Sequence, residues 1–232
     1  MAAISVSGQR TVTSLAVAAA VLYALLWLAY ALQWGWLQSV DDAALRPLYD
    51  FGVKHPGWVR FWDTLCTVFS PAAFRFAGAA IVVVAIRRRN LRVILFVVAA
   101  IGGSGVVTQV AKTLADRPRP DTAFVSAAYS AFPSGHAVGV MTAVLALLTI
   151  SAGIVGGRAR VATVMLGALV VVAVGVGRVV LNVHHPSDVL AGWALGYLWF
   201  LGCLFAIRPV PLAVASSGEA ADETPGARGS GR

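Results

Sequence analysis

The sequence predicts an all-α membrane protein: a bundle of about six transmembrane helices, with short interfacial helices between the first and second spans. Two observations support this fold class. Of the 232 residues, 59% are hydrophobic and only 12% are charged, whereas charged residues make up about a quarter of a typical soluble domain. The chain also contains charge-free runs close to the length, about 20 residues, that an α-helix needs to cross a hydrocarbon core about 30 Å thick.

Six apolar runs define the predicted spans. They cover residues 11–40, 72–86, 93–111, 137–157, 161–177 and 189–207. Arg75 shortens the second run at its start, and its long side chain can reach the interface. Residues 41–70 mix charges with tryptophan and phenylalanine, a composition typical of helices that lie among lipid headgroups. Residues 208–232 are polar and lack apolar periodicity, which predicts a disordered cytoplasmic tail.

The distribution of basic residues predicts the orientation of the chain in the membrane. Alternate loops carry Arg10, the group Arg87, Arg88, Arg89 and Arg92, then Arg158 and Arg160, and finally Arg208. By the positive-inside rule this face is cytoplasmic, with both termini inside a membrane that we expect to be a bacterial plasma membrane. The composition argues against a nucleic-acid-binding domain despite the net charge of +8. Cys66 and Cys203 lie in apolar stretches and are interpreted as small buried hydrophobic residues.

Polar residues accumulate in the two loops of the opposite, outward face, where turning the chain does not require them. The first of these loops begins at Lys112 and contains Arg119 between Pro118 and Pro120. The prolines end the helix and hold an extended turn. A snorkelling lysine with interfacial arginines is the alternative interpretation of this segment.

The same loop ends in Pro133, Ser134, Gly135 and His136, immediately before the fourth span. Serine is a favoured N-cap, and glycine lets the backbone approach a ligand closely. The unpaired N–H groups and the dipole of a helix N-terminus form an anion site. An ordinary helix cap beside an interfacial histidine remains the alternative.

The second outward loop contains Arg178, His184 and Asp188. Pro186, Ser187 and Asp188 predict the start of the sixth span, which brings the Asp188 carboxylate within reach of an imidazole nitrogen of His184. An aspartate that holds a histidine selects one tautomer and one orientation, as a nucleophile or a base requires. A His–Asp pair at the membrane surface, with a snorkelling arginine, is the alternative.

Together these segments resemble the type 2 phosphatidic acid phosphatase and vanadium haloperoxidase superfamily. The resemblance covers residues 91–205 and rests on three motifs in order: Lys, six residues, Arg-Pro; Pro-Ser-Gly-His; and Arg, five residues, His, three residues, Asp. Gly177 departs from the family pattern, which commonly has serine before the third-motif arginine. The resemblance also divides the chain into N-terminal spans and interfacial helices at 1–90, a catalytic core at 91–207 and the tail at 208–232.

The resemblance implies a role for each motif residue. His184 would be the nucleophile that forms a phosphohistidine, Asp188 its orienting partner and His136 the general acid. The phosphoryl oxygens would be bound by Lys112, Arg119, Ser134, Gly135 and Arg178. Three cations and two histidines also match what phosphoryl transfer needs, so we expect neither a metal nor a cofactor. Arg117 and His185 are interpreted as lining the entrance.

The predicted activity is hydrolysis of a lipid phosphate or diphosphate, with the bilayer and the lipid as partners. Phosphatidic acid, phosphatidylglycerol phosphate and an isoprenyl phosphate or diphosphate remain open as substrates, and so does a soluble sugar phosphate. A lipid transporter or flippase is a different class of protein, but it would place ionisable groups near the middle of the spans. A vanadate-dependent peroxidase is the third alternative, because vanadate fits the same anion pocket.

Overall fold

The computed structural model describes residues 6–209, and every regular element within that range is helical. The predicted tail lies outside the described residues, apart from its first two positions. A π-helical segment, Val98–Gly102, joins α5 to α6 without a break. The helices are α1 Val6–Ala31, α2 Gly35–Lys54, α3 Pro56–Val68, α4 Pro71–Arg87, α5 Leu91–Val97, α6 Gly103–Ala115, α7 Gly135–Ser151, α8 Gly157–Val180 and α9 Pro186–Ile207.

The helical membrane fold predicted from the sequence is confirmed. Within the described part of the chain, five stretches are long and apolar enough to cross a membrane: Gln9–Ala31, Pro56–Arg87, Leu91–Ala115, Gly157–Val180 and Pro186–Ile207. The helix α7 is a sixth, shorter apolar helix. Large hydrophobic side chains such as Phe76 and Leu114 are 79% and 72% exposed. Apolar side chains turned outward from a helical bundle fit a lipid environment and not an aqueous one.

The first apolar run is not one span, and this boundary of the sequence prediction is wrong. The first helix ends at Ala31, and a new helix begins at Gly35. Between them Gln33 adopts a left-handed conformation with φ of 53°, and its side-chain amide donates to the Tyr30 carbonyl over 2.9 Å. Because no charged residue marks this break, the absence of charge alone made the run look continuous.

The helix α7 lies at the centre of the bundle and packs closely against α9. An added Cβ at Gly196 would lie 2.7 Å from the Val138 carbonyl oxygen, and one at Gly192 would lie 2.7 Å from the Ala137 Cβ. These two glycines are four residues apart on one face of α9, so the two backbones approach as they do in small-residue contacts of membrane helices. The Thr142 hydroxyl crosses this contact and donates to the Gly196 carbonyl over 3.0 Å.

This packing brings four helix ends together at one end of the bundle. They are the C-termini of α6 and α8 and the N-termini of α7 and α9. The basic groups at residues 87–92, 158–160 and 208 lie at the other ends of their helices. The predicted separation of the polar motifs from the basic loops is therefore present in the fold.

Candidate active site

The two cations of the first motif are held by backbone carbonyl groups of the loop after α6. Lys112 is buried near the end of α6, and its ammonium donates to the Ser130 carbonyl. Arg119 donates from Nε to the Tyr129 carbonyl over 3.0 Å and from Nη2 to the Ala128 carbonyl over 2.8 Å. These contacts fold the loop over the site. They use neutral acceptors, so both positive charges stay available to an anion.

The second motif forms the start of α7, as predicted. Ser134 is the N-cap residue, but its hydroxyl makes no capping hydrogen bond. This Oγ is buried without a partner among the described residues, although an unpaired buried hydroxyl ordinarily costs free energy. Lys112 lies beside the same helix end, because an added Cβ at Gly135 would be 3.8 Å from its Cε. The helix N-terminus thus offers a free hydroxyl and backbone N–H groups next to a cation.

The candidate nucleophile His184 is almost fully buried, between Arg119 and Asp188. Its Nε2 lies 3.2 Å from Nη1 of Arg119, and its Nδ1 lies 3.6 Å from Oδ2 of Asp188. A guanidinium can only donate, so Nε2 carries a lone pair and the ring proton is on Nδ1, facing the carboxylate. The contact at 3.6 Å is an electrostatic one, too long for a hydrogen bond.

Burial keeps the His184 imidazole neutral. It lowers the pKa of His184 to about 4, and although Asp188 acts to raise this pKa, the charges of Arg119 and Arg178 add to the lowering. A neutral imidazole with a lone pair on Nε2 is the form that attacks an electrophile. The site therefore holds this histidine in its reactive protonation state at neutral pH.

His136, the candidate acid, lies in the first turn of α7 and is half-buried. It interacts electrostatically with four other predicted site residues: Arg178, His184, Arg119 and Lys112. Its ring makes no hydrogen bond with any residue in the range 6–209. All eight residues predicted for the site, including Asp188, accordingly lie in one cluster, the candidate pocket, where the four helix ends meet.

Arg178 is buried at the end of α8, where the Cys66 thiol lies beside its guanidinium. Its Nε has no hydrogen-bond partner in the described structure. The neighbouring Gly177 has no room for a side chain, because an added Cβ would lie 2.6 Å from Cys66 Sγ and 3.0 Å from a ring carbon of Trp62. The Cys66 sulfur atom therefore occupies the space that a side chain at residue 177 would need, in the position where the family pattern commonly has serine.

A buried ion network that the sequence analysis missed holds the other side of Asp188. Arg117 donates from Nη1 to Oδ1 of Asp188 over 2.7 Å and from Nη2 to Oδ2 of Asp41 over 2.8 Å. Asp41 also accepts from the Ser187 hydroxyl over 2.7 Å and from the Ser187 N–H over 3.1 Å. Asp41 was predicted to lie among interfacial charges, yet it is 1% exposed. No local pattern marks it, because its partners are distant in sequence.

His185 is the second partner of Asp188. Its backbone N–H and its Nδ1 lie 2.8 Å and 3.0 Å from Oδ2 of that carboxylate. His185 and Arg117 border a cavity of about 560 Å³ that Arg119 also lines. Both residues line this cavity, and Arg117 also has the buried structural contacts described above.

A second cavity, the lateral cavity, shares His136 and Gly135 with this cluster of site residues. It has a volume of about 310 Å³ and lies between the N-terminal half of α4, the helix α6 and the start of α7. Gly135 and His136 line it from the start of α7. Within residues 6–209 no group of three or more His, Cys, Asp or Glu side chains is arranged to hold a metal ion.

The fold and the pocket are those of a helical integral membrane protein with a basic, histidine-containing site at one end of the bundle. The sequence profile of the PAP2 superfamily matches residues 93–209, half of the chain. The protein belongs to the PAP2 superfamily. Asp41, Cys66 and Arg75 lie before the matched segment, in the part of the chain that the profile does not cover.

Two curated relatives and one crystal structure show similarity to this chain. Phosphatidylglycerophosphatase B of Bacillus subtilis is 30% identical over 109 residues, which is 46% of this chain and 54% of that protein. Lipid A 1-phosphatase of Rhizobium etli is 34% identical over 129 residues, 46% of this chain and 50% of that protein. The chain thus spans about half the length of these relatives.

The solved structure extends the similarity of the fold. A transmembrane PAP2-type phosphatidylglycerolphosphate phosphatase from Bacillus subtilis superimposes with a TM-score of 0.69 at 21% identity, over 83% of this chain and 96% of that one. The N-terminal helices of this chain therefore belong to the same architecture as the segment matched by the family profile.

Proposed function

We propose that this protein is an integral-membrane phosphatase that hydrolyses a lipid phosphate or diphosphate through a phosphohistidine on His184. The observation that carries the proposal is the environment of His184. A neutral, buried imidazole with its lone pair on Nε2 lies among Lys112, Arg119 and Arg178, beside an unpaired N-cap hydroxyl. Such a pocket binds a phosphoryl group and presents a nucleophile to it.

The cations and the start of α7 supply the charge neutralisation. Lys112, Arg119 and Arg178 would contact the equatorial oxygens, and the Ser134 hydroxyl and the Gly135 N–H would donate to them. Because these donors are fixed before the substrate binds, they stabilise the negative charge of the transition state without reorganisation. This arrangement supports turnover without a metal ion.

The two histidines divide the chemistry. Nε2 of His184 attacks phosphorus, the bond from phosphorus to the leaving oxygen breaks, and His136 gives that oxygen its proton. Water then attacks the phosphohistidine, His136 takes a proton from the water, and the bond from phosphorus to Nε2 breaks to release phosphate. Asp188 stabilises the positive charge that develops on the His184 imidazole.

The lateral cavity favours a lipid over a soluble sugar phosphate. His136 lines the cavity between α4, α6 and α7, so a leaving group protonated there departs toward the side of the bundle. The stretches that contain α4 and α6 are both long and apolar enough to cross a membrane. A lipid chain can therefore stay in the bilayer while its phosphate enters the pocket. The names of the two curated relatives, both lipid phosphatases, support the same substrate class.

The basic loops support an active site on the extracytoplasmic face, with both termini cytoplasmic. Residues 87–92 and 158–160 lie at the ends of their helices away from the pocket. The positive-inside rule assigns such loops to the cytoplasm.

The test is phosphate release from a panel of lipid phosphates by the purified protein in detergent with EDTA present. His184→Ala should abolish release from every substrate, whereas His136→Ala should retain more activity on p-nitrophenyl phosphate, whose leaving group needs no proton, than on a lipid. General acid catalysis is typically worth about a hundred- to ten-thousandfold. His55→Ala, an exposed histidine outside the pocket, is the matched control.

Four outcomes would contradict the proposal. Loss of wild-type activity on chelation, restored by magnesium, would rule out the metal-independent mechanism. Full activity of His184→Ala would rule out the phosphohistidine. Lipid movement between leaflets without phosphate release would indicate a transporter, and oxidation of bromide by added hydrogen peroxide that occurs only with vanadate would indicate a peroxidase.

A further inference from the structure

Arg75 lies in the lateral cavity beside the candidate acid. The cavity of about 310 Å³ is lined by His136 and Gly135 on its inner side and by Ser70, Ala72 and Arg75 from the start of α4. His184 does not line this cavity. The part of a substrate that leaves with the proton of His136 therefore occupies the space next to Arg75.

The charge of Arg75 is unpaired. Arg75 is exposed, and it makes no hydrogen bond or ion pair with any residue that the structure describes. It belongs to a stretch that is apolar enough to span a membrane. An arginine in such a stretch is costly, and charged residues there commonly serve a ligand or ion pathway.

Arg75 supplies the positive charge among the residues that line this cavity. Ser104 and Thr108 line the same cavity from α6, and their hydroxyls donate to backbone carbonyl groups over 2.7 Å each. Because both hydroxyl protons are engaged, these groups add no donors, and the guanidinium is the cation of this cavity. A guanidinium binds phosphate through two parallel hydrogen bonds, which gives both affinity and geometric selection.

We propose that Arg75 binds a second phosphate carried by the leaving group, and thereby selects lipids that have one. The inference rests on the proposed function and names its substrate class. In a prenyl diphosphate the second phosphate is directly attached to the reacting one. In phosphatidylglycerol phosphate it is the phosphodiester at the other end of the glycerol. The leaving group of phosphatidic acid is a neutral diacylglycerol, so it offers Arg75 no anion.

The experiment compares two substrate pairs, each differing in the second phosphate. One pair is a prenyl diphosphate and the prenyl monophosphate of the same chain, and the other is phosphatidylglycerol phosphate and phosphatidic acid with the same acyl chains. The values of kcat/KM are measured in the same mixed micelles for the wild type, Arg75→Gln, Arg75→Lys and Arg60→Gln. Arg60 is the matched control, because it is an exposed arginine of α3 outside the lateral cavity.

Arg75→Gln should lower kcat/KM by about ten- to a hundredfold for the member of a pair that carries a second phosphate, the range expected for lost charge-assisted hydrogen bonds. The monophosphate or phosphatidic acid should change by less than about threefold, which also shows that the variant is folded. Arg75→Lys should be intermediate, and Arg60→Gln should match the wild type. A selective loss in the prenyl pair identifies the natural leaving group as a prenyl phosphate. A selective loss in the other pair identifies it as the phosphodiester of phosphatidylglycerol.

Equal losses on both members of each pair, or no loss on any substrate, would overturn the role of Arg75. These results differ from failure of the proposed function itself. In that case the wild type would release phosphate from none of the four lipids, and His184→Ala would be indistinguishable from it.

Discussion

Removing Arg117 should disrupt both the stability and the reactivity of the site, because one guanidinium pairs with two buried carboxylates. Its nitrogens lie 2.7 Å from Asp188 and 2.8 Å from Asp41, and its side chain is 8% exposed. Arg117→Ala leaves both carboxylates buried without their cation. Breaking a buried pair in this way costs about 3–5 kcal/mol.

The effect on catalysis follows from the geometry of Asp188. This carboxylate is held on Oδ1 by Arg117 and on Oδ2 by His185, and it faces Nδ1 of His184. Without Arg117 the Oδ1 atom loses its partner and the carboxylate is held on Oδ2 alone, and a displacement of about 1 Å in a catalytic group can cost about a hundredfold in rate. Arg117→Lys should lower the rate to a similar extent, since a single ammonium cannot bond both carboxylates as the two guanidinium nitrogens do.

The assay combines thermal unfolding in detergent with steady-state kinetics. Arg117→Ala should lower the melting temperature by about 6 °C or more, and it should lower kcat on p-nitrophenyl phosphate with little change in KM. Arg46→Ala is the stability control, because its pair with Asp42 is 3.6 Å long and exposed, and such pairs contribute less than about 1 kcal/mol. If Arg117→Ala matched Arg46→Ala in melting temperature and the wild type in kcat, the positioning role would be refuted.

Three further predictions concern pH, packing and topology. Since burial lowers the pKa of His184 to about 4, kcat/KM of the His136→Ala variant on p-nitrophenyl phosphate, whose leaving group needs no proton, should stay level from pH 7 to about 5 once corrected for substrate ionisation, and should fall near pH 4; a fall near pH 6.5 would contradict this. Gly177→Ser should destabilise the protein, because Cys66 Sγ lies 2.6 Å from the added Cβ. Adding Cys66→Ala to this variant should restore part of the lost stability. If the stability losses of the two substitutions were simply additive in the double variant, this contact would be excluded as the cause. On intact cells an impermeant thiol reagent should label Ser126→Cys and spare Arg158→Cys, both at exposed positions, and the reverse pattern would invert the proposed topology.

The sequence alone was sufficient for the features that depend on neighbouring residues. Charge-free runs located the apolar helices, because a membrane span is defined by its own length and hydrophobicity. The start of α9 was predicted from Pro186 to Asp188, and its N-terminus brings Asp188 within one turn of His184. Ser134 was predicted at the start of α7 because serine is a favoured N-cap residue, and it occupies that position. Capping and contacts four residues apart are local, so the sequence order expresses them directly.

Only the tertiary structure decided which distant residues complete the pocket. Asp41 and Arg117 are 76 positions apart, and Cys66 fills the space beside Gly177 from a different helix. Arg75 is exposed, and only the packing of α4 shows that it lines the same cavity as His136. The turn at Gln33 that lets α2 fold back over the site contains no charged residue. These contacts join residues on different helices, so they depend on how the helices pack against one another, which the residue order within one helix does not express.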